Sequence, residues 1–145
     1  MPNKQTVQLN IESRISQDED NQLIASESMA EVFNLGSKFF IDYQEEIDGQ
    51  VVAVRIKVDL DQGQVLIKRE GQAVSARIPL ILNRDSLVYY RLPGLPQLEM
   101  IAHMQTLAGN LTKNRGQLKL YYQLRDQTGE IGQYEIILQY QAGLV

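Results

Sequence analysis

The sequence predicts an all-β protein, an antiparallel meander of about 8–10 strands closed into a β-barrel. Three observations carry that prediction. Apolar and polar residues alternate along nearly the whole chain, which suits half-buried strands and conflicts with the 3.6-residue spacing of amphipathic helices. Short turn sequences such as Asp48-Gly49 and Asp61-Gln62-Gly63 separate the alternating runs, leaving no room for the crossovers of a parallel sheet. No long Greek-key connection is visible, and closure both removes exposed edges and fills the inside with one apolar face per strand. A two-sheet sandwich is the main rival. With 145 residues, 43% of them hydrophobic, the chain supports one core, so 1–145 is a single domain.

The first strand alternates Val7, Leu9, Ile11, Ser13 and Ile15 with Gln8, Asn10, Glu12 and Arg14. A polar, acidic turn over 17–22 leads to a second strand at 23–35, stopped by Gly36. Strands at 39–47 and 51–60 form a hairpin about Asp48-Gly49. The segments 65–70 and 73–82 flank Gly71-Gln72, and Asn83-Arg84-Asp85 reverses the chain into 87–92. Pro93-Gly94-Leu95-Pro96 then breaks the ladder, because proline donates no backbone hydrogen bond. Strands at 98–111, 117–125 and 132–140 complete the meander, and 142–145 is expected to fray.

Composition excludes much chemistry. With no cysteine and one histidine there is no disulfide, no thiolate or His-rich metal site and no Cys nucleophile. No catalytic residue, cofactor or metal site is expected: no Gly-X-Ser-X-Gly turn accompanies His103, no glycine-rich loop joins a strand to a helix, and the Asp18-Glu19-Asp20 run lacks the rest of an EF-hand. His103 falls opposite the apolar face of Met100, Ala102, Met104 and Thr106, as a partly exposed imidazole. Fourteen basic against eighteen acidic residues give a net charge of -4, the wrong sign for binding a phosphate backbone, so nucleic acid is not an expected partner. No window approaches the roughly 18 apolar residues of a membrane helix, and no basic start precedes an apolar run as in a signal peptide. The expectation is a cytoplasmic protein with no membrane partner. Residues 78–82 are apolar on both faces and are expected to lie under a loop or in a homodimer contact.

Face assignment singles out an interior polar set. Phe39, Ile41, Tyr43, Glu45 and Ile47 share one side of their strand, and Val65, Ile67 and Arg69 share one side of theirs. An isolated buried charge is very costly, so Glu45 and Arg69 are expected to meet. Seven tyrosines outnumber three phenylalanines, and Tyr122, Tyr134 and Tyr140 stand in apolar register. The face of Ile24, Ser26, Ser28, Ala30 and Val32 is small enough to leave room inside. The candidate ligand-binding residues are Tyr43, Glu45, Arg69, Tyr90 and Tyr122. They support two readings, a buried ion pair with tyrosine hydrogen bonds that sets strand register, or recognition of the carboxylate or phosphate of a small amphipathic ligand. An enzyme of unrecognised type using the same groups is the alternative from another class.

Several segments occur in a telling order: Phe40-Ile41-Asp42-Tyr43-Gln44-Glu45, Lys68-Arg69-Glu70-Gly71, Tyr89-Tyr90-Arg91-Leu92-Pro93-Gly94, a strand reaching Met100 and Thr106, and Leu120-Tyr121-Tyr122-Gln123-Leu124. In these the chain resembles the YwiB-like family of small bacterial proteins. The resemblance implies a calycin-type, lipocalin-like barrel with no assigned activity. The chain departs from typical lipocalins in having no Trp, and hence no Gly-X-Trp near its first strand. It also has only a short turn where fatty-acid-binding barrels carry a helical lid.

Overall fold

The alternating runs become ten strands in a computed structural model that describes residues 3–143. They are β1 (Gln5–Gln17), β2 (Asp20–Leu35), β3 (Lys38–Ile47), β4 (Gln50–Asp59), β5 (Gln64–Glu70), β6 (Ser75–Ile81), β7 (Asp85–Arg91), β8 (Leu98–Leu111), β9 (Arg115–Asp126) and β10 (Gly129–Ala142). Each pairs antiparallel with its sequence neighbours, and β1 pairs with β10 from Val7↔Ala142 to Ser16↔Gln133, so the sheet closes into a barrel and the sandwich is excluded. Ala142 is still part of the sheet, its N–H donating to the Asn114 carbonyl at 2.7 Å; residues 144 and 145 of the expected tail lie outside the described residues.

Inward side chains fill the lumen. Leu9, Ile41, Ile78, Leu80, Met104, Leu120, Leu124 and Leu138 are fully buried, each stabilising the fold by about 1.5–3 kcal/mol relative to exposure. The apolar run at 78–82 divides between this core and the barrel wall. Ile78 and Leu80 point inward, Pro79 and Ile81 are half-buried, and Leu82 N–H donates to the Gly63 carbonyl at 2.9 Å as the chain turns toward β8. Because the strands alternate in direction, the β1–β2, β3–β4, β5–β6, β7–β8 and β9–β10 turns share one end of the barrel, here the upper end.

Two expectations of facing are overturned. In β8 the pairing shifts between Met104↔Tyr122 and Thr106↔Tyr121, a bulge that turns Thr106 out to solvent and brings Leu107 and Leu111 inward. The second correction concerns β2. Its ladder with β3 covers only 31–35 against 38–42, so 20–30 pairs with β1 alone and 43–47 with β4 alone. Ile24 and Ser26, expected to line the lumen, are therefore exposed.

Like charge accounts for this seam. Its last rung sets Glu31 against Asp42, and each acid has its own cation: Lys4 lies 3.7 Å from Glu31, and Arg55 Nε and Nη2 donate to the Asp42 oxygens at 2.7 and 2.8 Å. Continuing the same register would set Glu27 against Glu46, and among the described residues neither has an ion-pair partner. Opposed like charges destabilise a cross-strand pair.

At the lower end Gly116 opposes Tyr140, whose hydroxyl donates to the Thr112 carbonyl. A Cβ on Gly116 would overlap the Tyr140 ring. Gly116→Ala is expected to cost about 1–3 kcal/mol by overpacking. Thermal melts should show Tm lowered by about 2–4 °C for each kcal/mol, and an unchanged Tm would contradict the packing.

Candidate functional site

Register brings the candidate residues together. Tyr43, Val54, Arg69, Ala76 and Tyr90 are successive facing neighbours from β3 to β7, and Glu45 stands one inward position above Tyr43. Val54 and Ala76 are small, which leaves the Arg69 side chain room to reach along the wall. Its Nε donates to Glu45 Oε1 at 2.9 Å, the meeting expected from sequence. On β9 Tyr122 stacks on its cross-strand neighbour Tyr134 with ring centroids 5.1 Å apart, and Gln17 Nε2 donates to the Tyr134 hydroxyl at 3.0 Å. Tyr134 and Gln17 were not among the candidates. The Asp126-Gln127-Thr128-Gly129 hairpin alone would set Tyr134 opposite Tyr121; a bulge between Glu130 and Gly132 shifts the register by one and brings it against Tyr122, so the turn residues carried no signal of this pair.

Glu45 uses one donor of Arg69. Among the described residues the two terminal guanidinium nitrogens and the Tyr43, Tyr90 and Tyr122 hydroxyls have no hydrogen-bond partner, yet Ser86 Oγ is the sole fully buried side-chain polar atom without one. Each of those groups therefore keeps at least slight contact with solvent. Consistent with this, the Arg69 and Glu45 side chains are 26% and 32% exposed. One step down the same strands, Ile41, Ile67, Ile78 and Val88 are buried. These side chains form a polar cluster beneath the upper end, called the cup below, over packed aliphatic side chains.

Apolar side chains surround its mouth. Leu92, Leu95 and Leu98 at the β7–β8 connection and Ile24 on the β1–β2 hairpin are exposed at that end, Leu95 by 56%, whereas the exposed Val51 and Leu23 stand on the outer face. Sequence reading treated the β7–β8 segment only as a break in the ladder. No group of three or more potential metal-ligating side chains occurs among the described residues. His103 faces outward as expected, its Nδ1 2.8 Å from Asp85 Oδ1, while Arg125 Nη2 donates to Asp85 Oδ2 at 2.5 Å. Hydrogen bonds from Arg125, then His103, hold the Asp85 carboxyl below its usual range.

Residues 9–138 match the family described as Domain of unknown function (DUF1934). The chain belongs to that family. The crystal structure of the YwiB protein from Bacillus subtilis has the same fold, with a TM-score of 0.85 over 97% of this chain and 94% of that one at 20% identity. The family resemblance read from sequence and the closed all-β barrel are both borne out. A search of curated proteins returned no match.

Electrostatics in this DUF1934 barrel follow from burial around one cation. Burial pushes the Tyr43 phenol well above its ordinary value, Glu45 adds to the rise and Arg69 opposes it. Burial likewise raises Tyr122 and Tyr90, in both cases against the pull of Arg69. Burial alone would lower the Arg69 guanidinium, but the charge and hydrogen bond of Glu45 outweigh it and leave the group above its ordinary value. The cup therefore holds a permanent cation and neutral phenol donors at physiological pH.

The sign of the tyrosine shifts sets a pH dependence. Unfolded phenols lose their protons near pH 10, while Tyr43, Tyr90 and Tyr122 keep theirs to higher pH and Tyr140 is pushed up to about 12 by burial. Above pH 10 the unfolded state binds fewer protons, so stability falls as pH rises; below that it is unaffected by these groups. Urea melts from about pH 9 to about pH 12 should show this loss, with Tyr43→Phe and Tyr122→Phe each reducing the slope by up to ~1.4 kcal/mol per pH unit. Equal slopes in wild type and both variants would contradict the burial of the phenols.

Proposed function

We propose that this barrel is a non-enzymatic, cytoplasmic binding protein for a small amphipathic anion, with a carboxylate or phosphate seated on Arg69. The observation that carries this reading is the set of unclaimed donors in the cup, two guanidinium nitrogens and three largely buried phenol hydroxyls without a hydrogen-bond partner among the described residues. A guanidinium offers parallel N–H groups matched to two oxygens of an anion, and neutral phenols add donors without adding charge. Packed aliphatic side chains beneath the cup stop a chain from passing deeper. An apolar tail therefore lies upward, against Leu92, Leu95 and Leu98 at the mouth. The outward strand positions carry Gln8, Asn10, Arg55, Gln117 and Gln139, a surface suited to water rather than to lipid. The constellation holds no activated nucleophile, because the one carboxylate in it is engaged by Arg69.

Isothermal titration with decanoate and with decyl phosphate tests the proposal. The expected result is saturable binding of at least one of them. Arg69→Met should weaken it about 10-fold or more, the scale of a charge-assisted hydrogen bond. Glu45→Gln removes the competing carboxylate, so it should tighten binding several-fold. Circular dichroism confirms that each variant remains folded. If wild-type protein binds neither anion, the Arg69–Glu45 pair serves register alone and the proposal fails.

A further inference from the structure

The β2–β3 seam is a second feature, carried by the backbone rather than by the cup. Two strands face each other with unpaired edges, 20–30 of β2 on one side and 43–47 of β3 on the other. A groove of about 760 Å³ runs along the divergence, lined by Ser28, Met29 and Ala30 from β2 and by Asp42, Tyr43 and Gln44 from β3. Most sheets cover such edges or blunt them with Lys, Pro or a bulge, because a row of free N–H and C=O groups is a template for another strand. Here Asp20–Leu35 contains no Lys, Arg or Pro.

The charge along the unpaired edges of the seam is acidic. Asp18, Glu19, Asp20 and Glu27 stand on the β2 side, and Glu46 and Asp48 on the β3 side. The basic groups at its lower end are spent locally, Lys4 on Glu31 and Arg55 on Asp42, and Lys68 and Glu70 line the far wall together. Leu23, Ile24 and Met29 add exposed apolar contacts along the same edge. We propose that the β2–β3 seam takes up an extended basic peptide segment by β-strand addition. Main-chain hydrogen bonds to a free edge supply affinity, and alternate side chains, cationic against Glu27 and Glu46 on the outer face and apolar against Ile24 on the inner face, supply selectivity. A second copy of this chain is the poorer fit, since its own β2 edge would bring the same acids into register with these.

Hydrogen exchange read by mass spectrometry on the full chain tests this, using a synthetic peptide of about ten residues that alternates lysine and valine. The expected result is at least about 10-fold slower exchange at seam-facing amides within 20–30 and 43–47. A glutamate–valine peptide of equal length should leave them unchanged. The double variant Glu27→Lys, Glu46→Lys keeps like charges opposed, so the seam stays open, and it should exchange the two preferences. Three outcomes would each overturn the proposal: no slowing at the seam, equal slowing along other strands, or protein-concentration-dependent slowing without peptide accompanied by a dimer in light scattering.

Discussion

Pairing of β1 with β10 closes the sheet, and every inward side chain of ten strands must then share one lumen. An open sheet lets a polar residue drift to an edge or a face that meets water. A cylinder has only an inside, an outside and two ends. Aliphatic side chains occupy the inside wherever the wall is continuous, and the polar inward residues gather toward one end. The position of the Arg69–Glu45 pair is thus a consequence of closure. Deeper in the barrel the desolvation of two charges would exceed their attraction unless further partners were built around them. Near the upper end each keeps partial contact with water, and one hydrogen bond between them is enough.

The same constraint explains why the tyrosines matter. A phenol can present its ring to the core and its hydroxyl to a wet space, which suits the boundary between the aliphatic floor and the mouth. Tyr43, Tyr90 and Tyr122 occupy that boundary from three strands and respond to the same cation, so the cup behaves as one electrostatic unit. Tyr140 is buried at the opposite end and gives its hydroxyl to a backbone carbonyl. Its role is structural.

Closure is incomplete where charge opposes it. The chain supplies cations for the Glu31–Asp42 rung and none for Glu27 and Glu46, and the ladder ends between those two rungs. Glu45, partner of Arg69, lies on the part of β3 that pairs with β4 alone, so the wall beside the cup is a strand with one free edge. Polar cup and open seam are therefore neighbours.

Alternation and turn residues were sufficient in the sequence for the strand number, their order, the barrel and the inward facing of Tyr43, Glu45, Arg69 and Tyr122, because a period of two assigns faces without knowledge of partners. Even the bulge in β8 left a trace: Met100, Ala102 and Met104 keep one phase while Leu107 and Leu111 keep the other. Which residues meet across strands was decided by tertiary structure. Register and shear place Arg69 between Val54 and Ala76, and Tyr134 against Tyr122, and neither follows from the facing of a single strand. The seam was hidden for a related reason. Ile24, Ser26 and Ser28 carry an inward pattern, but a face is buried only if a strand stands on both sides of it, and charge on the adjacent strands β2 and β3 opposes that.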